Sequence, residues 1–450
     1  MKDFTLAEIA KACNGEYVGD ESLKNTKITS VERDSRQVKN GSLFLAIKGE
    51  RVDGHDFIEK CFAQGAVCAL CEKAPEKATK PCIVVPSTLD AVKKIGRAYR
   101  EKFDIPVIGI SGSVGKTSTK EMLYAVLSQK FKTHKTQGNL NNELGVPLTL
   151  LSMPEDTEAA VIEMGISDFG EMTRLSEMVQ PTICVLTIIG ECHLENLGDR
   201  DGVLKAKTEM FKNARKNADF ILNGDDDKLS TVKTVNGKKP VFFGLDAKND
   251  FYAKNIKNSG DGKVLATLCF DNNDIDVEIP AIGTYMVTNA LAAAAAGKLL
   301  GLTDEEIANG VASYKTVGSR ANVIDTGKIK IIDDCYNANP TSVRASLDTL
   351  SNLDGRKVAI LGDMKELGSE ELKLHFDTGV YAKSKDIGTV ITVGELAKEL
   401  AKGADGKAFD TIEDAKSEIL KTIKSGDVVL VKASHSMQFE NIVEFLKQNF

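Results

Sequence analysis

The stretch GISGSVGKTSTKEM, residues 109–122, sets glycines, a lysine and a threonine in the order that phosphate chemistry requires. Gly109, Gly112 and Gly115 let the backbone turn tightly and aim several N–H groups into one concavity. A helix starting there adds its unpaired N–H groups and the positive end of its dipole. Lys116 then reaches the β- and γ-phosphates, and Thr117 offers a hydroxyl to Mg²⁺. The expected nucleotide loop is therefore Gly112, Ser113, Val114, Gly115, Lys116, Thr117 and Ser118. Its spelling departs from G-x-x-x-x-G-K-[S/T], because Ile110 stands where the first glycine belongs. The competing reading, a glycine-rich turn with no ligand, leaves the ordered run of strand, glycines, Gly-Lys-Thr and helix without a reason. The N-K-x-D signature that reads guanine is absent, so ATP is the expected nucleotide.

A magnesium–nucleotide site needs a carboxylate at the end of a neighbouring strand, and the apolar run AAVIEMG ends in Glu163. His193 follows another apolar run, ICVLTIIG, and on position alone it is as readily structural as ligating. Lys205 and Lys207 fall in a helical stretch, where a solvated basic face is the ordinary reading.

These residues need a scaffold, and 450 residues exceed what one core serves, which points to two or three domains. An apolar fraction of 42% and a charged fraction of 27% place the chain among ordinary globular proteins. The net charge of −7 argues against a general nucleic-acid binder, which needs a basic surface. No segment has the apolar length of a signal peptide or a bilayer span, so a cytoplasmic location is expected. Nine cysteines then read as reduced thiols. The pair in GAVCALCE lies on a strand, where Cys68 and Cys71 point to opposite faces and read as core residues rather than a zinc knuckle.

Residues 1–85 mix short strands and helices. From Pro106 to about residue 315, strand and helix alternate (VIGIS, AAVIEMG, ICVLTIIG, FILNGD), which implies a parallel sheet with helices on both faces. The run NALAAAAAGKLLG is a helix by propensity. The alternation restarts with KIKIIDDCYN, KVAILGDM, TVITVG and DVVLVKAS, four apolar strands of a smaller Rossmann-like domain that lacks G-x-G-x-x-G. The expected α/β organisation is three domains: 1–85, a central parallel-sheet P-loop ATPase domain over 86–315, and 316–450.

Over nearly its whole length the sequence resembles the Mur ligases of peptidoglycan synthesis. That family places its first loop glycine one residue early, as Gly109 stands here. SRQVKNGSLFLAIKGERVDGHDF resembles the UDP-binding amino-terminal domain, which implies Ser35, Arg36 and Lys48 near the uridine diphosphate. TQGNLNNELGVPLTLL resembles the segment lining the muramoyl substrate, with Asn139, Asn141 and Asn142. The resemblance implies Mg²⁺ ligation by Glu163 and His193, and carboxylation of Lys207 in KAKTEMF. It also implies Asn289 in TNALAAAAA against adenine and Arg320 in VGSR near the triphosphate. DDCYNANPTSVRASLDTL and LGDMKELG resemble the branch that adds D-alanyl-D-alanine, and imply Asp334 beside the nucleotide and Tyr336, Asn337 and Asn339 around the dipeptide.

The sequence departs from the family pattern at Tyr285-Met286, where His-Asn is usual, and at Ala433 and His435 in VLVKASHSMQFE, so only Lys432 and Ser434 carry over there. The implied reaction is ATP-dependent ligation of D-Ala-D-Ala to UDP-N-acetylmuramoyl-tripeptide through an acyl phosphate, by a monomer with Lys116, His193, Lys207 and Arg320 as its catalytic groups. Two alternatives stay in view. Another amide ligase of the superfamily is disfavoured by the YNANP and LGDMKELG segments, and a nucleotide-dependent switch gives no reason for the sugar-nucleotide domain.

Overall fold

The computed structural model describes residues 1–49, 52–259, 262–271 and 273–450; Glu50 and Arg51, within the segment compared with UDP-binding domains, lie outside them. At the centre is a six-stranded, all-parallel sheet. Its order is Val241–Phe243, Asp219–Asn223, Ile183–Leu186, Val107–Ser111, Ala159–Glu163 and Thr133–Lys135. The strand that leads into the phosphate loop thus lies between the strands ending at Leu186 and Glu163. Ligands of open parallel sheets bind at the carboxyl ends of such strands. The helix Tyr285–Leu299 buries its alanines on one face of this sheet, among Ile108, Ile110 and Val185.

Residues 1–85 form a five-stranded sheet in the order Glu16–Val18, Cys82–Val84, Cys68–Cys71, Ser42–Leu45, Ser30–Glu32, with only the first pair antiparallel. Cys68 packs with Phe4, Leu6 and Ile9 on one side, while Cys71 packs with Phe44 and Phe62 on the other. The helix Thr88–Arg100 joins this unit to the centre, and one hydrophobic cluster runs from Phe4 through Tyr99 to Met210.

The carboxy-terminal sheet has six strands, ordered Asn322–Asp325, Lys330–Asp333, Asp427–Lys432, Arg356–Gly362, Thr389–Val393, Lys407–Phe409. The four apolar runs legible in the sequence are its inner strands, buried on both faces; the two edge strands are more polar. One expectation fails within the central domain. Residues 252–279 do not continue the strand–helix alternation but form an antiparallel meander, Tyr252–Ser259, Lys263–Phe270 and Asn273–Ile279. The segment NDIDVEI alternates exposed and buried residues with the period of two that one solvated sheet face demands.

A buried imidazole fixes the turn after Gly362. His375, on the helix Glu371–Ser384, accepts a hydrogen bond from Met364 N through Nε2 at 2.9 Å, and its Nδ1 lies 2.6 Å from the Glu371 carbonyl. Burial pushes its pKa down, so it folds as the neutral ring. An unfolded imidazole binds its proton more readily. The stabilisation is therefore complete above about pH 6.5 and is lost as pH falls below it. The thermal midpoint is expected to drop between about pH 7.5 and pH 5.5. In His375→Gln the drop is smaller, with the share of the half-buried imidazole of His134, whose pKa burial also lowers, remaining. Calorimetry giving equal pH slopes for parent and variant would contradict this role.

Candidate functional site

The loop turns where its glycines are needed. Gly112 has φ +151° and Gly115 φ +84°, and the helix Lys116–Leu127 starts directly after. Ser113 N donates to the Ile188 carbonyl at 2.8 Å, and Thr187 Oγ1 donates to the Val114 carbonyl, so the loop is braced by the end of the adjacent strand. A methyl group at Gly112 would lie 1.9 Å from Thr187 Oγ1 and 3.2 Å from Ile188 N. Gly112→Ala is accordingly expected to weaken ATP binding about tenfold or more while the protein still folds. Titration with a fluorescent ATP analogue checks this, and unchanged affinity would contradict it.

Thr117 Oγ1 donates to the Glu163 carboxylate, 3.1 and 3.0 Å from its two oxygens, and Asn141 Nδ2 donates to the same carboxylate at 2.8 Å. Glu163 is 1% exposed. A second lysine, Lys120, is fully buried one helical turn after Lys116, with Nζ 3.5 Å from Glu163 and 3.3 Å from Glu121. Lys116 itself folds back to donate to the Gly112 carbonyl at 2.7 Å.

His193 has φ +53° and precedes the short helix Leu194–Leu197. The two lysines of the following helix, Arg200–Thr208, part company. Lys205 is exposed over the Phe169 ring, whereas Lys207 is 1% exposed. Burial and the nearby Lys116 charge push the Lys207 pKa down to about 8, against the attraction of the Cys192 thiol. The ordinary reading of a basic solvated face thus holds for Lys205 and fails for Lys207.

The carboxy-terminal domain closes the site from above. The chain crosses into it through Gly318 (φ +63°) and Ala321 (φ +51°), and the Arg320 guanidinium between them stacks 3.6 Å from the Tyr336 ring centroid. Asp334 accepts from Ala321 N at 3.1 Å, Ser346 Oγ at 2.6 Å and Lys432 Nζ at 2.6 Å. Lys432 also donates to the Asn337 carbonyl. Asn339 caps the helix Pro340–Ser351, and the His435 ring lies 5.8 Å from that of Tyr336.

A cavity of about 460 Å³ lies between the two domains. It brings together Ser113 to Ser118, Asn141, Asn142, Glu163, His193, Asn289, Arg320, Asp334, Tyr336, Asn337, Asn339 and Lys432. Gly112, Lys207 and Ser434 do not line it, and Met286 takes a hydrogen bond from Asn289 Nδ2 through its sulfur. Asn139 is exposed outside the cavity. Ser35, Arg36 and Lys48 also lie apart from it: Arg36 pairs with Asp34 on the surface, and the Lys48 backbone pairs antiparallel with that of Asp53. The cavity adds residues that sequence reasoning missed. Asn223, Asp225, Phe243 and Leu245 line it, as does Tyr285, noted in the sequence only as a departure from the family pattern. Asn223 ends a strand of the same sheet, so the rule that singled out Glu163 also reaches it.

Three family models match consecutive parts of the chain: Mur ligase family, catalytic domain, over residues 27–104; Mur ligase middle domain, over 110–297; and Mur ligase, glutamate ligase domain, over 319–435. The UDP-N-acetylmuramoyl-tripeptide–D-alanyl-D-alanine ligase of Bacillus subtilis is 36% identical, with 98% of each chain covered. That of Escherichia coli is 34% identical, over all of this chain and 99% of its own. Among solved structures, MurF from Acinetobacter baumannii matches with a TM-score of 0.92 at 32% identity, covering 100% of this chain and 99% of that one. MurF ligase from Thermotoga maritima in complex with ADP gives 0.84 at 30% identity, covering 93% and 97%.

Proposed function

The chain belongs to the Mur ligase family, and from that premise we infer that it ligates D-alanyl-D-alanine to UDP-N-acetylmuramoyl-tripeptide, converting ATP to ADP and phosphate. The observation that carries this reading is the interdomain cavity, in which a phosphate loop, a buried strand-end carboxylate and His193 face Arg320, Asp334 and Tyr336.

The reaction sets two anions against each other, a peptide carboxylate and the γ-phosphate. A carboxylate oxygen attacks the γ-phosphorus, the bond to ADP breaks, and an acyl phosphate forms. The free amine of the dipeptide then attacks the acyl carbon, loses a proton, and expels phosphate, which keeps one oxygen of the original carboxylate. Phosphoryl transfer rests on positioning and charge neutralisation. Lys116 and the N–H groups of residues 114–118 hold the β- and γ-phosphates, and Arg320 brings a further positive charge once the domains meet. Tyr336 supports that guanidinium by stacking, and the Lys432–Asp334 pair holds the segment bearing Tyr336, Asn337 and Asn339 against the cavity. Closure excludes water that would otherwise hydrolyse the acyl phosphate. Slow ATP hydrolysis is therefore expected without dipeptide, well below the rate with it.

The donor set fits magnesium at one position. The Thr117 hydroxyl and the Glu163 carboxylate are hard oxygen ligands, already about 3 Å apart and buried. At a second position His193 fits, but an ammonium on Lys207 does not; its carbamate would. That carbamate forms when the neutral amine attacks carbon dioxide and releases a proton, and the depressed pKa favours the neutral amine. Bound there, magnesium supplies charge neutralisation and a template for the two anions. The same reading makes the enzyme a cytoplasmic monomer, with the half-buried Ser35 and the exposed Arg36 and Lys48 of the first domain toward the uridine diphosphate.

The test of the acyl-phosphate route uses tripeptide labelled with ¹⁸O in its terminal carboxylate. One labelled oxygen per turnover should appear in inorganic phosphate. Phosphate free of label, with product still formed, would overturn the route.

A further inference from the structure

His193 Nδ1 is a buried nitrogen with no well-angled hydrogen bond among the described residues, and the carboxylate Glu366 Oε2 lies 2.6 Å from it. That carboxylate comes from the other domain. Glu366 follows the strand Arg356–Gly362 and holds φ +63°, a left-handed conformation that side chains seldom adopt and that persists where surroundings enforce it. The enforcing contacts are with the helix that His193 precedes. Glu195 N reaches the Glu366 carbonyl at 3.5 Å, and a Cβ on Gly368 would lie 3.3 Å from Glu195 N and Cα, so the segment lies flat on that backbone. Beside it, Thr341 Oγ1 donates across the same boundary to Glu191 Oε2 at 2.6 Å.

We propose that Glu366 is a positioning residue for the ligation: its carboxylate, delivered by the carboxy-terminal domain, orients the His193 imidazole and leaves Nε2 for the cavity. This rests on the placement of His193 in the reacting centre. A ligating histidine commonly gives its other N–H to a carboxylate, which fixes tautomer and ring orientation. Here the carboxylate arrives only when the two domains meet, so domain closure and completion of the site become one event. An ordinary exposed ion pair would contribute little and would leave the ring chemistry of His193 unchanged.

The experiment compares the parent with Glu366→Asn, which tolerates left-handed backbone but has neither charge nor reach, and with Glu366→Gln. Protein labelled with ¹⁵N-histidine, free of metal and nucleotide, carries five imidazoles, and His193 is assigned from the signal missing in His193→Ala. The parent should show His193 protonated on Nδ1, and Glu366→Asn a tautomer mixture. In turnover, Glu366→Asn should raise the magnesium activation constant about tenfold or more and lower kcat, with KM for ATP unchanged. Glu366→Gln should fall between the two. Identical His193 signals and magnesium constants in parent and Glu366→Asn would overturn the proposal, as would Glu366→Gln behaving like the parent in both. If Glu366→Asn does not fold, the parent spectrum decides, because His193 protonated on Nε2 overturns it. Full activity of His193→Ala would instead remove His193 from the centre, a failure of the premise that is separate from these.

Discussion

Lys116→Met lowers kcat for ligation by about a thousandfold or more, with the thermal midpoint and the affinity for the UDP-linked tripeptide retained. The size follows from losing a fixed positive charge at the phosphoryl group in transfer, an interaction that grows as the transition state forms. The retained fold follows from where the lysine sits. Lys116 is the first residue of the helix Lys116–Leu127, half-buried, and among the described residues its Nζ hydrogen-bonds the Gly112 carbonyl, so methionine keeps the stem and costs the fold one hydrogen bond to a backbone acceptor. Single-turnover rates with saturating ATP separate chemistry from binding. A variant within about tenfold of the parent would remove Lys116 from phosphoryl transfer.

Lys207→Ala is expected to cost on the order of a hundredfold or more in kcat, and short carboxylates such as formate or acetate should restore part of it. With a pKa of about 8, roughly a quarter of this amine is neutral at about pH 7.5, whereas an ordinary lysine is almost wholly charged there. The neutral fraction, and the carbamate made from it, rises as pH approaches and passes 8. Truncation to alanine opens space beside Cys192 and Lys116 where a small acid can enter and return the lost negative charge. Full activity without rescue, or loss that no acid relieves in a variant shown to be folded, would contradict the carbamate.

The nucleotide loop was legible because its chemistry is local. Gly112, Gly115, Lys116 and Thr117 must be close in sequence to act on one phosphate group, so spacing alone exposes them. Glu163 was legible for a related reason, as the acid ending a strand that a parallel sheet sets beside the loop. Lys207 was not separable from Lys205 by composition or period; the difference is burial, decided by which side of a two-turn helix meets the core. Asn223, Asp225, Phe243 and Leu245 come from the sheet's far edge, and their approach to the loop depends on strand order, which the linear sequence does not display. The meander at 252–279 did carry its own alternating signal, overridden by the strong strand–helix rhythm on either side. Glu366 is furthest from legibility. Its partner lies in another domain, and only the docking of the two domains brings it to His193.

The most direct measurement incubates the protein with ATP, Mg²⁺, D-Ala-D-Ala and, separately, UDP-N-acetylmuramoyl-tripeptides ending in meso-diaminopimelate or lysine, then reads the products by mass. The expected result is a UDP-linked pentapeptide from at least one of them, with one ADP and one phosphate per peptide bond, and only slow phosphate release when the dipeptide is left out. ATP hydrolysis equally fast with and without dipeptide, and no pentapeptide from either substrate, would contradict the assignment of this cavity to the ligation.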